Sequence, residues 1–73
     1  MPFSHWPIHD RVLVNLADGS AIDGVLIEKR GPLLILGDAS LLTASAEPAQ
    51  MDGRVYVERS QVLFIQARQA KGG

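Results

Sequence analysis

Gly24 interrupts an apolar run that otherwise alternates like a β-strand, with Ile22, Gly24 and Leu26 on one face of Ala21 to Lys29. A glycine in mid-strand weakens the strand unless it marks a bulge, a sharp bend or a close approach of two backbones. The position therefore predicts a short sheet that curls strongly on itself, with Gly24 as its bend point. The preceding segment has the same period: Val12, Val14 and Leu16 alternate with Leu13, Asn15 and Ala17. Asp18-Gly19 joins the two runs and is a strong hairpin signal.

Further along, Arg30-Gly31-Pro32 reads as a turn, and Leu33 to Leu36 as a buried third strand bounded by Gly37-Asp38. Ala44 to Asp52 has the composition of a loop. Arg54 to Glu58 reads as a fourth strand, Arg59-Ser60 as a very tight corner and Val62 to Gln66 as a fifth strand. The expected fold class is all-β: a five-stranded, strongly bent small barrel of the SH3-like kind, over residues 11–66. Residues 1–10, with Pro2 and Pro7, form an irregular anchoring segment in which Trp6 and Ile8 lie across the barrel. Residues 67–73 form a polar C-terminal tail.

With 73 residues there is room for one modest core, and chains this short usually need a staple or a partner. There is no cysteine, so disulfides and thiolate metal sites are excluded. Yet 47% of the residues are hydrophobic and only 5% aromatic, an excess of Val, Leu, Ile and Ala that oligomerisation would bury. A net charge of -1 gives no whole-molecule attraction to nucleic acid or anionic membranes. No apolar run approaches the length of a spanning helix, and Met1 to Asp10 lacks the pattern of a signal peptide, so a cytoplasmic location is expected.

The run Val12-x-Val14-x-Leu16-x-Asp18-Gly19, then Gly24-x-Leu26, resembles the opening motif of the Sm and Sm-like family. Leu34-Ile35-Leu36-Gly37-Asp38-Ala39 resembles the end of that motif. Gly53-x-Val55-x-Val57-Glu58-Arg59-Ser60-Gln61-Val62-Leu63-Phe64-Ile65 is similar to the family's second motif. The resemblance implies an Sm-like barrel that forms rings, the fourth strand of one subunit pairing with the fifth of the next. It also implies RNA as a partner, but the uridine-binding residues do not carry over. Counting from Gly24 puts the family's Asp and Asn roles on Arg30 and Leu34, and counting back from Asp38 puts them on Lys29 and Leu33. Glu58 stands in place of the phosphate-facing Arg. In architectural style the chain is similar to small bacteriophage virion subunits (minor capsid, decoration or adaptor proteins), which would place it in a virion.

Candidate sites follow from these readings. If Val55, Val57, Val62 and Phe64 face the core, period two places Tyr56, Leu63 and Ile65 outside, as an oligomer interface. The alternative is that the N-terminal segment folds over those three. Lys29 and Arg30 form a candidate nucleic-acid rim at the mouth of the barrel. His5 and His9 are four apart, but Pro7 between them breaks the helix such a metal pair needs, so no metal is expected. No nucleophile elbow, catalytic constellation or phosphate loop is present, so neither catalysis nor a cofactor is expected. The favoured function is a non-catalytic structural or interaction module that assembles with itself or with other protein subunits. The alternative is a divergent Sm-like RNA-binding ring.

Overall fold

A computed structural model describes residues 6–67. Residues 68–73 of the expected tail and the first five residues, His5 included, lie outside that range, while Ala67, expected to open the tail, is the last residue of the final strand. The chain runs as β1 (Arg11–Leu16), β2 (Ala21–Arg30), β3 (Leu33–Thr43), β4 (Ala46–Met51), β5 (Val55–Glu58) and β6 (Val62–Ala67), with one 3-10 turn, Arg59–Gln61, between the last two.

The first hairpin is closed by the chemistry of its turn. Leu16 N–H donates to the Ser20 carbonyl at 2.9 Å, and Gly19 has the positive φ, 95°, that glycine adopts without strain. The Asp18 carboxylate accepts from the Ser20 hydroxyl (2.6 Å) and from Ser20 N–H (2.9 Å). Those two bonds hold the Asp18 carboxyl below its ordinary range.

All pairings are antiparallel. The sheet order is β4-β3-β2-β1-β6, and β5 also pairs with β3, along the half that β4 leaves free. One face of this bent sheet closes over Val12, Val14, Leu26, Leu34 and Leu36, none of which is exposed, with Ile22, Ala39 and Val57 beside them. Each of the Val, Leu and Ile side chains in this set contributes roughly 1.5–3 kcal/mol on burial. Trp6 and Ile8 of the N-terminal segment pack against this cluster. Two backbone bonds fasten the segment to β2: His9 N–H to the Leu26 carbonyl (2.6 Å) and Leu26 N–H to the Asp10 carbonyl (3.0 Å).

The bend lies where β2 and β3 cross. Their register breaks between Asp23 and Val25, opposite a stretch in which Asp38 has a φ of 48°. A Cβ added to Gly24 would lie 3.0 Å from Ala39 Cβ, 3.1 Å from the Gly37 carbonyl oxygen and 3.2 Å from Ala39 Cα. Two of those three are backbone atoms, so the crossing has little room to yield. Arg11 ties the outside of the bend, with Asp38 at 2.6 Å and Asp23 at 3.4 Å.

Two sequence expectations are corrected. The third strand does not stop at Leu36 but bends through Gly37-Asp38 and continues to Thr43. Ala44 to Asp52 is not a loop, because Ala46–Met51 pairs with the far half of β3, giving six strands instead of five. β4 is exposed almost throughout and holds Pro48 at a register break, so no hydrophobic alternation marks it. Gly24→Val is expected to cost about 1–3 kcal/mol. Thermal melting checks this, and an unchanged midpoint would mean that the crossing is looser than the geometry describes.

Candidate assembly interface

A sheet of this order leaves one side of β4, β5 and β6 without a partner among the described residues. Free edges offer rows of unpaired N–H and C=O groups and are usually protected. β4 is protected: Pro48 removes a donor, and it sits where the register slips between Leu41 and Thr43. Glu47 adds an exposed charge. β5 and β6 have no proline.

Three large apolar side chains of β5 and β6 face outward. In β5, Val55 and Val57 pair in register with Leu36 and Leu34 and share their inward face, so Tyr56 and Glu58 face out. Tyr56 is 59% exposed. In β6, Leu63 is 65% and Phe64 54% exposed, large values for side chains of this type. The described part of the N-terminal segment, from Trp6 on, leaves Leu63 and Phe64 exposed.

Ile65 differs from expectation. It is half-buried and packs against the core, whereas Phe64 points out. The cause is a bulge. Against β1, Val14 pairs with Ile65 and Asn15 with Phe64, but Leu16 pairs with Val62, skipping Leu63. One extra residue shifts the alternation, so Val62 and Ile65 face in and the adjacent Leu63 and Phe64 both face out. Strict period-two counting across Leu63 gives the opposite answer for Phe64 and Ile65. The outward set in the structure is Tyr56, Leu63 and Phe64.

A groove of about 1070 Å³ runs beside β6. Trp6, Pro7, Leu63 and Phe64 line it, together with Lys29 and Arg59. Lys29 Nζ lies 5.4 Å and the Arg59 guanidinium 5.7 Å from the centre of the Trp6 ring, both within cation–π reach. Sequence reasoning passed over Arg59. Nothing in a single basic residue at a tight corner marks it as the partner of a tryptophan 53 positions away. The 3-10 turn brings it there, with Arg59 N–H bonded to the Pro32 carbonyl at 2.7 Å.

The two members of the Lys29-Arg30 pair separate. Arg30 is held in a two-pronged contact with Glu28, at 3.0 and 3.3 Å, while Lys29 turns to Trp6 and to the Gly31 carbonyl at 3.0 Å. The structure does not bring them together as a joint basic rim. Among the described residues no three metal-capable side chains gather.

The architecture matches solved structures. A heptameric archaeal Sm protein is 30% identical, with 86% of this chain and 91% of that one covered and a TM-score of 0.74. The chain belongs to the Sm-like fold family. The SmAP1 heptamer of P. aerophilum is 29% identical to this Sm-like chain over 88% of its length and 85% of the other's, with a TM-score of 0.75. A Pyrococcus abyssii Sm protein in complex with a uridine heptamer is 24% identical, with 85% and 87% covered and a TM-score of 0.75, a likeness of fold alone. No family model matches the sequence, and no curated protein does.

The bulge in β6 makes a contrast that can be measured. Compared by urea unfolding at a concentration where each is monomeric, Leu63→Ser should change stability by no more than about 0.5 kcal/mol. Ile65→Ser should lose about 1–3 kcal/mol through lost core packing. Equal effects at the two sites would contradict the placement of the bulge.

Proposed function

We propose that this Sm-like chain is a non-catalytic assembly module whose copies join edge to edge, β5 of one to β6 of the next. The observation that carries the reading is the contrast between edges: β4 is interrupted by Pro48, while β5 and β6 lack proline and present Tyr56, Leu63 and Phe64 to solvent. Two different edges on one molecule form a heterologous contact, which closes into a ring when the rotation between copies divides a full turn. Two of the similar solved proteins are described as heptamers, which supports a closed ring as the product. Such a ring would serve as an adaptor or structural layer in a larger complex, of the kind a virion or a cellular machine builds from repeated small chains.

An RNA-binding ring is the competing reading, and a similar fold is known with a uridine heptamer bound. The local chemistry disfavours it here. Arg30 is paired with Glu28, Glu58 faces outward beside the turn, and the net charge is -1. Tight nonspecific binding to phosphates needs several cations acting together.

Light scattering at micromolar concentration should give a mass several times 7.9 kDa. Leu63→Asp combined with Phe64→Asp should give a folded monomer, because an unpaired carboxylate in an apolar contact costs several kcal/mol. A monomeric wild-type chain would contradict self-assembly. Labelled oligo-U should bind more weakly than about micromolar at physiological salt. Submicromolar binding abolished by Lys29→Ala and Arg30→Ala together would move the RNA reading to first place.

A further inference from the structure

Lys29 and Arg59 share the groove beside β6, both lie over Trp6, and neither has a carboxylate partner within salt-bridge distance among the described residues. The other lining charge is Asp10, which is exposed, so the groove presents two cations and one anion. That balance accommodates one more carboxylate. Their own chain's Glu58 is exposed and faces out of β5, on the same side of the strand as Tyr56.

We infer that Glu58 of one copy enters this groove on the next copy and pairs with its Lys29 and Arg59. The inference rests on the edge-to-edge reading above and fixes its register. Strands within this sheet pair antiparallel, and an antiparallel addition of β5 to a neighbour's β6 sets the C-terminal end of one against the N-terminal end of the other. Glu58 is the last residue of β5. Val62 is the first residue of β6, and Arg59 lies three positions before it. An incoming β5 that lays Tyr56 beside Leu63 and Phe64 therefore delivers Glu58 to the end of the groove where Arg59 and Lys29 stand.

The Trp6 ring gives this end of the groove its form. By holding both cations over one indole it keeps two like charges together, and the guanidinium of Arg59 retains a donor fork suited to a carboxylate. The bulge at Leu63 turns two adjacent apolar side chains outward just past that end. A charge contact beside an apolar one sets register and partner choice in a way that apolar contact alone does not. The same assignment gives Glu58 a use: a carboxylate that would repel phosphate serves to select a second copy of the chain.

A mutant cycle on the intact chain tests the pair. Assembly affinity is measured by light scattering over a dilution series for wild type, Glu58→Gln, the double variant Lys29→Gln/Arg59→Gln, and all three changes together. The Gln variant at position 58 and the double variant should each weaken assembly about three- to tenfold. The triple variant should be no weaker than the weaker of the two, because the pair is already broken. Raising the salt concentration should weaken wild type more than the triple variant. Wild-type affinity in Glu58→Gln, or effects that multiply in the triple variant, would overturn the ion pair while leaving the assembly reading in place. A wild-type chain that stays monomeric at every concentration would remove both, and would do so before any variant is compared.

Discussion

The close crossing of β2 and β3 at Gly24 is the constraint on which the remaining architecture depends. With about 3.0 Å between a hypothetical Cβ on Gly24 and Ala39, only glycine lets the two strands bend together without displacing backbone. The bend folds a single continuous sheet back on itself, so that β1 pairs with β2 on one side and β6 on the other. It also divides β3 into two halves, the first carrying β5 and the second β4. The apolar faces of both halves meet over one small core. Without the bend, Leu34, Leu36 and Val57 would lie on an open sheet instead of closing over Val12 and Val14.

Folding in this way leaves the curl incomplete. β5 and β6 come from opposite ends of the pairing scheme and each keeps a free edge. In a chain with no cysteine, a modest core and nearly half its residues hydrophobic, a neighbouring copy is the economical means of covering those edges. The contrast with β4 gives this physical content. Where the protein has an edge to blunt, it uses a proline at a register slip, and it does not do so on the two strands that carry Tyr56, Leu63 and Phe64.

Much of the fold was legible because it is written in short-range chemistry. Asp18-Gly19 marks the first hairpin, Gly24 the bend, and the alternation of Val55, Tyr56 and Val57 the faces of β5. What escaped was set by register. β4 is exposed on both faces, so its strand nature comes from pairing with β3 and leaves no hydrophobic period to read. The outward residues of β6 were misassigned at Phe64 and Ile65 because a one-residue bulge at Leu63 inverts every face beyond it. The Trp6, Lys29 and Arg59 cluster joins residues from three distant segments, and the charges gave no hint of it. Only the adjacent Lys29-Arg30 pair is visible in one dimension, and the structure sends its two members to different partners.

Hydrogen–deuterium exchange at two protein concentrations tests most directly whether the chain assembles through these edges. In the concentrated sample, the amides of β5 and β6 that have no partner within one copy should gain protection, while the outer edge of β4 should exchange at the same rate as in the dilute sample. Protection that appears on β4 instead, or unchanged exchange on β5 and β6 while the mass rises, would contradict assembly by β5–β6 pairing.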